Sequence, residues 1–335
     1  MVVDNIAVNR WDGEAEPWYD HRAQRPGSER KLLPKGELTM LTVEEAFRKF
    51  RSRLELNDRE QKNAAKRHNE IRDHMRAKFE LDDDFLTGSY RRHTKTKPLK
   101  DVDIFCVLGE KEKHFRQEHP LKVLQAFKKA LAELYGNEAV TLQRRSAEVD
   151  FGVVVDAEDN TDYRVVSMDV VPAFVLGENY EIPDKDTGEW IKTNPTVHER
   201  AAIEAHESYS REWKGLVRMA KYWNNHNGKP IKPSFLLEVM ALGCLAPPFC
   251  GKFEYEFQGM FATFASRIFD VWPDPAKLGP AISDMMNESQ KKVAADALAA
   301  AGRKVTLAID LVRQGKNGEA LQAWRGLFGP KFPLS

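Results

Sequence analysis

Two acidic residues separated by one, Asp101-Val102-Asp103, stand at the head of an apolar run that continues to Leu108. On a strand, residues i and i+2 point to one face, so the spacing aims both carboxylates at the same place. Two such charges repel unless a cation sits between them. Upstream lies the turn Leu86-Thr87-Gly88-Ser89-Tyr90. Gly88 lets the backbone approach a phosphate closely, and Ser89 adds a hydroxyl beside freed backbone N–H donors. Oxygen ligands at a strand's start beside a glycine turn suit Mg²⁺, which keeps bonds for water and substrate phosphate. An isolated Asp-x-Asp at a strand edge is commonly a solvated pair; here the Gly-Ser turn before it and the apolar strand after it favour the metal.

A metal site of this kind needs a further carboxylate from a neighbouring strand. Asp169, within Val166-Ser167-Met168-Asp169-Val170-Val171-Pro172-Ala173-Phe174, sits inside an apolar run where a bare charge is costly. Asp150, in Glu148-Val149-Asp150-Phe151, alternates with apolar neighbours as an outward polar residue does. Asp169 is therefore the preferred third ligand.

The elements that must position these groups follow from periodicity. Residues 1–41 are polar, carry Pro17, Pro26, Gly27 and Pro34, and read as an irregular arm with Trp11 and Trp18 as its candidates for docking on the body. Thr42 with Glu45 has capping-box spacing, and Val43, Ala46, Phe47, Phe50 and Leu54 continue it as a helix. A second helix is predicted from Asn57-Asp58 to about Phe79, a strand over Val102–Leu108 and an amphipathic helix over 120–135. Runs from Ala147 to Val155 and from Tyr163 to Phe174 flank the acidic turn Asp156–Asn160, which predicts an antiparallel hairpin. Beyond Pro195 helices are predicted over 197–226, 233–245, 253–270 and 288–313, then an aromatic-rich tail. The expected fold is α+β: a mixed sheet with flanking helices over 42–195, followed by a helical half over 196–335.

Composition bounds the partners. Lys plus Arg equals Asp plus Glu at 51 each, so no global field draws the chain onto a long nucleic acid. Apolar residues at 42% and charged residues at 30% are a soluble balance, and no apolar run is long enough to span a bilayer. Cys106, Cys244 and Cys250 form no C-x-x-C pair and read as small buried groups in a reducing cytoplasm.

Gly88-Ser89, Asp101-x-Asp103 and Asp169-Val-Val-Pro-Ala-Phe together resemble the polymerase-β-type nucleotidyltransferases, and most of all the bacterial CD-NTases, the cyclic-oligonucleotide synthases. The likeness extends through Tyr180-Glu181-Ile182-Pro183-Asp184, Trp190–Pro195, Arg218–Trp223 and Lys232-Pro233-Ser234-Phe235-Leu236-Leu237-Glu238. It implies that Asp101 and Asp103 bind two Mg²⁺ ions, with Mn²⁺ able to replace them, and that Asp169 completes the second site and helps to deprotonate the acceptor hydroxyl. It further implies that Gly88 and Ser89 hold an NTP triphosphate, that Lys221 and Ser234 grip it, and that Phe235 stacks on the donor base. Taken alone, Lys221 reads as a solvated helix lysine and Phe235 as core.

The basic loop Arg91–Lys97 reads equally well as a phosphate screen or as a solvated loop. His93, His198, His206 and His226 receive no catalytic role. No Cys/His cluster resembles a zinc insertion, which argues against activation by long DNA.

The resemblance implies a monomeric synthase of a cyclic di- or trinucleotide in anti-phage signalling, with ATP among its substrates and room for a protein regulator. A template-independent RNA nucleotidyltransferase, CCA-adding or oligoadenylate-synthetase-like, shares every catalytic residue. The neutral charge and the lack of a separate RNA-binding module weigh against it. A catalytically dead scaffold is disfavoured by the intact Asp101, Asp103 and Asp169.

Overall fold

The computed structural model of the protein describes residues 40–155 and 163–335. The docking expected of Trp11 and Trp18 and the acidic turn 156–160 lie outside the described residues.

The first two helices start where their caps dictate. In α1 (Val43–Leu54) the Thr42 hydroxyl accepts the Glu45 N–H at 3.2 Å, and the Glu45 carboxylate accepts the Thr42 N–H at 2.9 Å. Asn57 and Glu60 repeat the box at α2 (Asp58–Lys78), at 3.0 and 2.7 Å. Each cap stabilises its helix by about 1 kcal/mol.

Among the described residues seven strands form one mixed sheet. They are β1 (Leu81–Leu86), β2 (Val102–Leu108), β3 (Val140–Leu142), β4 (Ala147–Asp150), β5 (Ser167–Leu176), β6 (Asn179–Asp184) and β7 (Glu189–Thr193). The order is β1-β2-β5-β4-β3, with β6 pairing the far end of β5 and β7 pairing β6. Only β2 and β5 run parallel, and α4 (Leu121–Tyr135) lies in the long crossover that a parallel pair requires. Alternation divides the sheet's two faces. Ile104 and Cys106 of β2 with Met168 and Val170 of β5 join α2 and α4 in one core, while Phe105, Val171 and Ala173 pack on the other face with Ile182.

The helical half comprises α5 (Pro195–Ser208), α6 (Trp213–His226), α7 (Phe235–Cys244), α8 (Phe253–Arg267), α9 (Glu288–Arg313) and α10 (Asn317–Phe328). Its core takes in α1: Phe47 stands edge-on to Trp324 at 4.8 Å between centroids and stacks near Phe253 at 5.8 Å. The first described helix therefore belongs energetically to the last.

Three sequence readings need correction, and one strand goes unread in the sequence. The helix expected over 197–226 is two, because Ser210 and Arg211 take left-handed φ values of 53° and 61°. The aromatic tail contains a helix, α10, whose Ala320, Leu321, Trp324 and Phe328 face the core. β1 is a strand despite three consecutive aspartates; the ladder to β2 overrides their poor strand preference, and Arg76 pairs Asp84. Of the cysteines only Cys106 is buried, and Cys250 is exposed.

Candidate active site

Asp103 and Asp169 are direct partners in the parallel β2–β5 ladder. Each lies on the sheet face that carries Phe105, Val171 and Ala173 further along, so this face begins acidic and becomes apolar two residues later. Asp101 arrives differently from the expected alternation. The strand starts at Val102, and Asp101 precedes it in the left-handed region at φ 49°, a conformation that aspartate tolerates better than most residues. It is held there by Ser167, whose hydroxyl oxygen accepts the Asp101 N–H at 2.9 Å and whose O–H reaches Asp101 Oδ1 at 3.2 Å.

Gly88 opens the one-turn helix α3 (Gly88–Arg91) at φ +64°, and a Cβ there would lie 1.7 Å from Asp103 Oδ2. The residue must be glycine for two independent reasons, the dihedral and the carboxylate. Asp150 is exposed at the end of β4, opposite Ser167, and accepts the Gly152 N–H at 2.8 Å.

The carboxylates are electrostatically in conflict. Burial pushes Asp169 up to about 7, and the charges of Asp103, Asp101 and Glu148 add to the rise against a hydrogen bond from Ser146 Oγ at 2.7 Å. Burial likewise raises Asp103, with Asp101 adding to it, while Lys95 and Arg92 oppose. Glu148 lies opposite Asp169 across β4–β5 and is held by Thr141 Oγ1 at 3.3 Å and by the Gln143 amide. Clustered carboxylates whose ionisation is suppressed by one another are the donor set that a hard divalent cation relieves. Among the described residues no group of three or more His, Cys, Asp or Glu side chains is arranged to hold a metal ion by itself. Asp101, Asp103 and Asp169 would therefore hold a hard cation such as Mg²⁺ only with water and substrate phosphate completing its shell.

The loop 91–97 is neither solvated nor a free screen. Arg92 donates from Nε and an NH2 nitrogen to both oxygens of Glu238 at 2.9 and 3.0 Å, all buried. Lys97 pairs with buried Glu60 at 2.9 Å, and the His93 carbonyl accepts Arg218 at 2.6 Å. Only Arg91 of these is exposed, paired with Glu199 at 2.8 Å, while Lys95 reaches the Asp101 carbonyl at 3.2 Å.

On the helical side, Lys221 is buried in α6, its ammonium on Glu238 Oε1 and 3.4 Å from Thr94 Oγ1. Burial brings its pKa down to about 8, partly opposed by Glu238 and reinforced by Arg92. Two cations thus face one carboxylate, a surplus of positive charge suited to a polyphosphate. Ser234 is exposed at the N-cap of α7, with no side-chain cap hydrogen bond. Phe235 follows it, half-buried, with the Arg92 guanidinium 4.6 Å from its ring centroid and the His198 ring at 5.2 Å. The structure therefore gathers Gly88, Asp101, Asp103 and Asp169 at the sheet, and sets Lys221 and Phe235 around Arg92 at the junction with the helices.

The Second Messenger Oligonucleotide or Dinucleotide Synthetase domain matches residues 40–205. The chain is 28% identical over 324 residues to a cyclic AMP-AMP-AMP synthase of Acinetobacter sp., covering 90% of this chain and 88% of the relative. The chain belongs to the bacterial CD-NTases. This CD-NTase is a nucleotidyltransferase. Its fold matches CdnC of E. coli MS115-1, solved in a HORMA-deltaN complex, with a TM-score of 0.65 at 17% identity over 87% of this chain and 98% of that one. It likewise matches the CD-NTase CdnG of Bradyrhizobium diazoefficiens, solved with GTP, with a TM-score of 0.65 at 16% identity over 85% of this chain and 94% of that one. Among the described residues no helix is long and apolar enough to cross a membrane.

Several residues that shape this CD-NTase's site escape sequence reasoning. Glu238 did leave a signal, an acid inside the apolar run Phe235–Cys244, which requires a buried partner. Arg92 was one of many cations in its loop. Ser146 and Ser167 carry no sequence mark, because only the strand register shows which carboxylate each serine meets.

Proposed function

We propose that this CD-NTase joins NTPs by attack of a ribose hydroxyl on an α-phosphate and closes the linear intermediate into a cyclic di- or trinucleotide. The observation that carries the reading is the in-register pair Asp103–Asp169 with Asp101 beside it and Gly88 against Asp103. Asp101, Asp103 and Asp169 would hold two Mg²⁺ ions, or Mn²⁺ in their place, which when bound offset the charge on the attacking and leaving oxygens. Asp169, paired in register with Asp103, would take the acceptor hydroxyl's proton. Gly88 and Ser89 present backbone N–H groups and a hydroxyl to the donor triphosphate. Lys221 and Ser234 grip the same triphosphate from the helical side, where Arg92 and Lys221 together outweigh Glu238. Phe235 supports the donor base, its ring already backed by Arg92.

Adenine in the product of the Acinetobacter relative supports ATP as a substrate. The HORMA complex of the E. coli neighbour supports a protein regulator, and we read the enzyme as a cytoplasmic monomer of anti-phage signalling. The test is product analysis with all four NTPs and Mg²⁺, no primer, and the Asp101→Asn/Asp103→Asn variant as control. The expected product is phosphatase-resistant, two or three nucleotides long, and missing from the control. A ladder of phosphatase-sensitive oligomers, or dependence on added tRNA, would transfer the reading to RNA nucleotidyl transfer.

A further inference from the structure

The motif Tyr180–Asp184 ends in a fully buried aspartate at the last position of β6. Its partners explain why a charge is kept there. Arg144 Nε donates to both oxygens of Asp184 at 2.9 and 2.7 Å, and an Arg145 NH2 nitrogen lies 3.0 Å from Oδ2. Two guanidinium groups hold Asp184 down to about 2 against the burial that would raise it. Both arginines belong to the loop Gln143–Ser146 that joins β3 to β4, a loop without glycine or proline to fix its shape. The loop is pinned further by the Arg144 carbonyl, which accepts the Lys185 N–H at 3.1 Å, and by the Ser146 carbonyl, which accepts the Gln143 N–H at 3.0 Å.

What the loop delivers is chemistry. Its last residue, Ser146, is buried and donates to Asp169 Oδ1 at 2.7 Å. Its first, Gln143, takes the carboxylate of Glu148, the residue directly opposite Asp169 in the ladder. Like charges opposite one another on a sheet repel. One loop thus fixes Asp169 and restrains the carboxylate that would disturb it.

We propose that Ser146 is a positioning residue for Asp169, and that Asp184 acts on the metal site through Arg144, Arg145 and this loop. By holding Oδ1, the serine fixes the carboxylate's rotation and leaves Oδ2 for the cation, the arrangement by which outer partners orient ligands. The inference rests on the metal-site reading above.

The experiment measures Mn²⁺ binding to the full chain by titration calorimetry with a non-hydrolysable ATP analogue present, alongside thermal melting without metal. Ser146→Ala should weaken Mn²⁺ binding roughly tenfold, the lower end for lost second-layer partners, while melting close to the parent. Ser146→Thr should recover binding. Arg144→Gln, on a side chain that is 41% exposed, should weaken Mn²⁺ in the same direction without unfolding the chain. The double variant Ser146→Ala/Arg144→Gln should bind no more weakly than Ser146→Ala, because both act on one hydrogen bond. Unchanged binding in Ser146→Ala, or additive losses in the double variant, overturns the proposal. Asp169→Asn separates the two levels. If it binds Mn²⁺ as the parent does, the metal-site reading itself fails; if it loses Mn²⁺ while Ser146→Ala does not, only the positioning role falls.

Discussion

Asp169→Asn should inactivate the enzyme and, without metal at alkaline pH, make it more stable. The carboxyl ionises near 7 in the fold against 3.8 as its ordinary value, because burial and three neighbouring acids disfavour its charge. The folded state thus holds its proton more tightly than the unfolded chain, and stability falls as pH rises between those values. Below about pH 4 there is no penalty, and above about 7 it is complete. At 1.36 kcal/mol for each tenfold, the ceiling is about 4 kcal/mol, and screening at a partly exposed group brings it to about 2 kcal/mol. Asparagine mimics the protonated acid at every pH and keeps an oxygen to accept from Ser146. Thermal melting in EDTA should therefore show variant and parent nearly together at pH 4. At pH 8 the variant should melt about 4 °C higher, at roughly 2 °C per kcal/mol for a chain of this size. Saturating Mg²⁺ with a non-hydrolysable ATP analogue should raise the parent alone and close the gap. A gap independent of pH, or a variant that melts lower at pH 8, would refute the electrostatic account of the site.

Three further perturbations address the parts around it. Glu238→Gln leaves Arg92 and Lys221 buried without their carboxylate, and should cost about 3 kcal/mol in denaturant unfolding. Gly88→Ala puts a methyl group on Asp103 Oδ2 at a left-handed backbone, so synthesis should fall about a hundredfold in a steady-state assay while the far-UV spectrum is kept. Phe235→Ala removes the ring between Arg92 and the base, and should raise the apparent NTP KM roughly tenfold with kcat less affected.

Where local chemistry decides structure, the sequence was legible. Thr42 with Glu45 marked the start of α1, and the apolar run Val102–Leu108 marked β2. The register of β2 against β5 was not, since pairing Asp103 with Asp169 depends on long-range packing of Ile104, Val170 and the helices above them. The same limit hid Asp101's departure from the strand, which is imposed by Ser167 from another strand. Charge was the most misleading signal. Arg92, Lys97, Lys221 and Asp84 look like surface residues in sequence, yet each is buried or bonded to a partner distant in the chain.

Those buried pairs share one placement. Lys97–Glu60 ties the loop after Ser89 to α2, while Arg92–Glu238 and Arg218 on the His93 carbonyl tie it to the helical half. Buried ion pairs add little net stability compared with apolar packing, but breaking one is costly, so they act as constraints. The loop so constrained runs from the Gly88-Ser89 turn, proposed to meet the triphosphate, to Asp101. Its anchors on both halves fix the distance between the triphosphate donors and the carboxylates. Catalysis by positioned charges requires that distance to be set before substrate arrives. The cost is four acids held in mutual repulsion, Asp101, Asp103, Glu148 and Asp169, which only the surrounding fold and a bound cation can hold in place.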